Sequence, residues 1–206
     1  MMYELKQVDC SPIKEHQIKL HPEVIKILFE NRRVIKSVFS NLKGLHGITH
    51  MGMACIDPSR ELIAFSTTPS IEHNLFNQHL WLEDHCFNSD IGDKNSLLWW
   101  DYQNEKIEKF KLLNNRFTMG MTIYRPIGDF GFMYSFATDE TVKGLRQYYT
   151  DNLFGLIDMG DYFYKSLREL YSHYSLKHVP PELNEFNSKA TGLNVKPFLR
   201  LVRGLK

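Results

Sequence analysis

At 206 residues the chain can bury a sizeable core, since domains of this size remove roughly 70% of the surface their unfolded chains expose. Its 43% hydrophobic and 24% charged content exclude a disordered chain, and a formal net charge of +1 leaves no global field to draw it onto nucleic acid or an anionic membrane. Glu4, Lys6 and Asp9 interrupt the N-terminus where an export signal needs an apolar run, and no later stretch approaches the ~18 uncharged apolar residues of a membrane span. Cys10, Cys55 and Cys86 are odd in number and widely spread, a usage suited to a reducing compartment rather than a disulfide framework. Together these features predict a cytoplasmic chain without a transmembrane segment.

From His21 to Lys43, Val24, Ile27, Leu28, Val34, Ile35, Val38, Phe39 and Leu42 recur at three and four, which predicts one amphipathic helix stopped at Gly44. Apolar runs over 47–56 and 61–67, joined by Asp57-Pro58-Ser59, predict a β-hairpin. Ser70 then stands where a helix cap belongs, ahead of Ile71, Leu75, Phe76, Leu80 and Trp81. The stretch from Phe87 to Tyr102 reads as an irregular loop, ending in Leu97-Leu98-Trp99-Trp100, too apolar to stay in water. A short helix over 107–113 comes next, then a second strand pair, Phe117–Tyr124 and Phe130–Ala137, joined through Pro126-Ile127-Gly128-Asp129. Asp139 is read as the cap of a helix beginning about Glu140, and a longer helix runs over 151–174. Pro180-Pro181 breaks the pattern.

This order predicts an α/β (α+β) fold, an antiparallel sheet of about five strands with helices on its faces, PAS/GAF-like. Residues 1–179 form one sensor-like domain. Residues 180–206 form an extension with a short basic amphipathic helix, in which Phe198, Leu201, Val202 and Leu205 share a face while Lys196, Arg200, Arg203 and Lys206 lie elsewhere. The apolar face and Arg203 are candidates for protein contact, against packing on the chain's own domain. The tail contrasts with an acidic middle from Asp57 to Glu105, a polarity that steers assembly with a charged partner or pairs the chain's own ends.

Three stretches, in order, resemble the autoinducer-binding domain of LuxR-type quorum-sensing regulators: Gly47-Ile48-Thr49-His50 with the Asp57-Pro58 turn; Leu80-Trp81-Leu82-Glu83-Asp84 through Leu98-Trp99-Trp100-Asp101; and Phe117-Thr118-Met119-Gly120-Met121-Thr122-Ile123 together with Gly128-Asp129-Phe130-Gly131-Phe132. The resemblance implies a pocket between sheet and helices, where an indole N–H and a carboxylate hold the polar head of an acyl-homoserine lactone. The corresponding residues are Trp99 or Trp100 for the indole and Asp84 or Asp90 for the carboxylate, with Tyr102 in the same region. The family's tryptophan, three residues, tyrosine pattern is absent from 71–84, and neither Asp84 nor Asp90 is followed by proline. The stretch after Pro181 is shorter than the family's helix-turn-helix domain, so no direct sequence-specific DNA binding is expected.

Each candidate has a plainer reading. Trp99 and Trp100 read first as core packing, then as pocket lining or a partner anchor. Asp84 and Asp90 read first as solvated carboxylates. His79 and His85 are six apart and face different ways on a helix, and His46 and His50 straddle Gly47, so no metal site is expected. Cys86 beside His85 makes no catalytic pair, and no phosphate-cradling glycine loop is present. The sequence therefore predicts a noncatalytic regulatory or sensor-like module without a cofactor, binding a small apolar ligand or working through a protein partner or homodimer. The alternative is an adaptor or chaperone-like subunit of a bacterial secretion or signalling assembly.

Overall fold

The computed structural model describes residues 18–87, 97–175 and 177–183. Asp90, the side chain of Tyr102, and Phe198, Leu201, Val202, Arg203 and Leu205 lie outside the described residues. The strands are β1 (Lys19–Leu20), β2 (His50–Ile56), β3 (Glu61–Ser66), β4 (Leu97–Trp99), β5 (Met119–Ile127) and β6 (Phe130–Thr138). The α-helices are α1 (Val24–Glu30), α2 (Arg32–Ser40), α3 (Ser70–Asn77), α4 (Glu105–Lys111), α5 (Leu145–Asp151) and α6 (Leu153–Tyr174). One sheet runs β1-β3-β2-β6-β5-β4, with helices on both faces, a mixed α/β fold.

Both hairpins form where the alternation and turn residues place them. Asp57 caps its own turn, with Oδ1 accepting from the Ser59 hydroxyl and the Glu61 amide at 2.8 Å each. Gly128, at φ +58, supplies the left-handed residue of the β5–β6 turn. Among the described residues the sheet has six strands, close to the expected five or so, and it is antiparallel except where β1 runs parallel to β3. Two residues are too few for β1 to show a period. β4 ends the segment read as loop: Leu-Leu-Trp shows no alternation, yet it pairs with β5 as an edge strand.

Two further expectations are corrected. The helix over 21–43 is split at Asn31 (φ −91, ψ 3), where the side-chain amide donates to Ile27 O and to the Tyr174 hydroxyl at 3.0 Å each. Asp139 caps nothing: the Glu140 amide donates to Thr138 Oγ1 instead, and α5 begins only at Leu145, after Gly144 at φ +79.

Alternation gives the two sheet faces different characters. Met51, Met53, Cys55, Ile63, Phe65, Met121, Ile123, Phe132, Tyr134 and Phe136 share a bulky core with residues of α2, α5 and α6. Tyr134 fits α6 closely enough that a Cβ on Gly160 would stand 2.0 Å from its ring. Its hydroxyl donates to Asp161 at 2.9 Å, and Arg125 grips the same carboxylate with two bonds of 2.7 Å. The opposite face, toward α3 and α4, carries Gly52, Ala54, Ala64, Ser66, Gly120, Thr122 and Ser135 at the alternate positions. Small and hydroxyl-bearing residues are concentrated at its centre, with Ile56, Leu62 and Met133 beside them, and the space they leave is filled by side chains from above.

Candidate functional site

Four elements converge on the small-residue face. α3 brings Glu72; the 3-10 turn at Leu80–Leu82 leads into Asp84. α4, whose cap Asn104 accepts the Ile107 amide at 3.0 Å, ends on Lys111; and β4 passes directly into Trp100. Trp100 is 1% exposed and lies on Gly120, where a Cβ would stand 2.0 Å from the indole. Its Nε1 donates to Thr122 Oγ1 at 2.9 Å, and that oxygen is 3.0 Å from Ser135 Oγ.

Asp84 and Lys111 are a buried ion pair, 0% and 5% exposed at the side chain, with Nζ 2.5 Å from Oδ2. Asp84 Oδ1 accepts the Cys86 amide at 2.9 Å, while the ammonium lies 3.8 Å from Cys86 Sγ and 5.1 Å from the Trp100 ring centre. Burial pulls the Lys111 pKa down, but Asp84, Cys86 and Glu72 together offset this and leave it raised. Burial first, then Asp84, pushes the Cys86 thiol up to about 12, so it stays protonated. His50, fully buried, is lowered to about 3 by burial and then by Lys111.

Glu72 lies over Gly52: its Oε1 is 3.0 Å from where a Cβ would stand, with His50 Nε2 at 3.6 Å from the same point. Glu72 Oε2 and His50 Nε2 are sealed from solvent without a hydrogen-bond partner. A cavity of about 30 Å³ adjoins Glu72, lined also by Asp84, Lys111, Thr122 and Ser135 and by apolar residues including Leu75, Phe76 and Met133. That is room for about two waters. A larger cavity of about 150 Å³ at the hairpin tips borders Asp57 and Arg60, but the Asp57 oxygens serve their own turn.

Burial pushes the Glu72 carboxyl from 4.5 up to about 7, against the Ser66 hydroxyl, its own amide and Lys111. The native state therefore holds this proton where the unfolded chain releases it. The stabilisation is complete below about pH 4.5 and lost as pH rises through about 7. Glu72→Gln is expected to flatten this part of the stability profile, a loss of about 1 to 3 kcal/mol between those limits. Denaturant melts at intervals of pH check it; an unchanged slope in the variant would refute the assignment.

Of the sequence candidates, Trp100 and Asp84 meet at this site. Asp84 is the opposite of a solvated carboxylate, because Lys111, the last residue of α4, compensates its charge inside the fold. Trp99 is half-buried on β4, its ring 4.6 Å from the Arg146 guanidinium, which also pairs with Asp101. It belongs to another surface of the domain. His79 and His85 are exposed, and among the described residues no three His, Cys, Asp or Glu side chains are grouped to hold a metal ion. Sequence reasoning missed Glu72, Lys111, His50, Thr122 and Ser135. The usable signal was the run of small and hydroxyl residues at alternate positions of the central strands.

No protein-family model matches the chain, and no curated protein matches it. Solved structures similar to it include SdiA in complex with octanoyl-rac-glycerol, 12% identical, covering 82% of this chain and 73% of that one at a TM-score of 0.46. Escherichia coli SdiA in the space group P6522 is also 12% identical, covering 82% of this chain and 75% of that one at a TM-score of 0.47. Among the described residues no helix is long and apolar enough to cross a membrane.

Proposed function

We propose that this chain is a noncatalytic regulatory domain, spanning residues 1–179, that binds a small ligand between the small-residue face of its sheet and α3–α4. The observation that supports this most is the buried Asp84–Lys111 pair beside an unpartnered Glu72 oxygen, on a cavity otherwise largely apolar. A buried ion pair is a poor source of stability compared with apolar packing, whereas a few convergent polar groups on an apolar wall are what orients a ligand. The noncatalytic part rests on the same groups: Lys111 is held charged, Cys86 is held as a thiol, and neither is an activated nucleophile.

Native mass spectrometry of the full chain isolated from its own cells tests this, read together with Trp100 fluorescence in a Trp81→Phe, Trp99→Phe background. A stoichiometric small molecule whose release changes the Trp100 emission supports the sensor reading. One observation favours a second reading, an adaptor that has kept the fold: Trp100 and Glu72 already occupy most of the layer, leaving only about 30 Å³. A ligand-free chain held in a defined protein complex would decide for the adaptor. Trp100, buried at 1%, would not be its anchor.

A further inference from the structure

We infer that the recess between α3, α4 and the sheet is a hydration site, with about two long-lived waters held by Glu72, Lys111 and the Thr122–Ser135 hydroxyl pair. These waters belong to the folded protein in the sensor and the adaptor readings alike. The cavity of about 30 Å³ is lined by all four residues, and it has room for about two waters but not for a ligand of more than a few atoms. A buried site holds water only where polar groups offer it about two to four hydrogen bonds. The uncommitted donors and acceptors here meet that condition.

Thr122 Oγ1 accepts the Trp100 Nε1–H at 2.9 Å and stands 3.0 Å from Ser135 Oγ. A single hydroxyl hydrogen fills the second contact, whichever residue gives it, so the other hydroxyl hydrogen is left to donate. The Lys111 ammonium has three N–H donors. Asp84 Oδ2 takes one at 2.5 Å, and Cys86 Sγ, at 3.8 Å, is a weak acceptor for another. Glu72 supplies the acceptor: its Oε2 is sealed from solvent without a hydrogen-bond partner among the described residues. Its Oε1 lies 3.0 Å, and the Ser135 Cβ 3.5 Å, from where a Cβ on Gly52 would stand, so the two side chains converge over bare backbone. The leftover donors and the leftover acceptor do not bond one another directly, and a water, which both accepts and donates, joins them. An apolar occupant would leave all of them unpaired, at the cost that buried orphan groups carry. A cation would stand beside the Lys111 ammonium, and an anion would face the Glu72 and Asp84 carboxyls.

Oxygen-17 relaxation dispersion of water in a solution of the full chain counts waters held longer than the protein takes to tumble, and two variants make it a test of this site. Ser135→Val removes one hydroxyl and fills the space, and should lower the dispersion by about two waters. Ser135→Ala removes the hydroxyl but leaves the space with Glu72 and Lys111, and should keep the waters while shortening their residence several-fold. Equal dispersions in the wild type and a folded Ser135→Val would mean that the cavity is dry, and would overturn the inference. Should Ser135→Val fail to fold, water-to-methyl NOEs at Met133, which lines the cavity, decide instead. NOEs with the sign of a long-held water, persisting in Ser135→Ala, are expected, and their absence overturns the hydration site. Neither result touches the ligand-binding reading, which the native mass spectrum decides separately.

Discussion

Lys111→Met is expected to destabilise the domain by about 3 to 5 kcal/mol, the usual cost of leaving a buried charge without its partner. Asp84 has no exposed path to water, at 0% side-chain exposure, and its Oδ1 is tied to the Cys86 amide, so it cannot swing outward without breaking the turn. The charge rather than the packing is responsible, because methionine retains most of the apolar stem. Adding Asp84→Asn to Lys111→Met should then recover most of the loss, since asparagine keeps an oxygen for the Cys86 amide but removes the charge. Urea unfolding of the single and double variants measures both. A loss under about 1 kcal/mol in Lys111→Met, or no recovery in the double variant, would show that the pair is not buried as described.

Gly120→Ala should have the second largest effect, about 2 to 3 kcal/mol, because overpacking a filled core forces either the backbone or a large ring to move. The new methyl would stand 2.0, 2.4 and 2.7 Å from three carbons of the Trp100 indole, and β5, paired on both sides, has little freedom to shift. The indole should therefore be displaced, losing its bond to Thr122 and shifting its emission to the red. Replacing Trp100 by leucine should cost less in the Gly120→Ala background than in the wild type, a coupling of about 1 kcal/mol or more between neighbours. Additive losses would mean that the two residues do not touch.

The extended elements and the longest helix were legible because each repeats a pattern over many residues. The Asp57 turn and the Gly128 turn announce their hairpins, and Leu156, Phe163, Leu167 and Tyr171 mark the buried stripe of α6. The short elements were not legible: β1 has two residues and β4 three, below any period. The Asn31 break was hidden because the apolar spacing continues across it, and only a contact with Tyr174, far along the chain, identifies the residue as a hinge of the pattern. The site was half legible. Trp100 and Asp84 drew attention as residue types, but the charge that balances Asp84 comes from the last residue of α4, and no local spacing connects 84 to 111. Glu72 reads in the sequence as one more acidic residue on an amphipathic helix, and only the fold sets its carboxylate against the bare backbone of Gly52.

The two hairpins are local, each closed by a tight turn, and in the sheet of the described residues they pair through the β2–β6 seam, where Gly52 pairs with Ser135 and His50 with Ala137. Closing so long a loop is entropically expensive, so the seam is expected to form late, after both hairpins. Glu72 and His50 approach it from one half of the chain, Trp100, Thr122 and Ser135 from the other. Whatever occupies the recess thus bridges two halves that assemble last, and its binding should lengthen the lifetime of the folded state without hastening its formation.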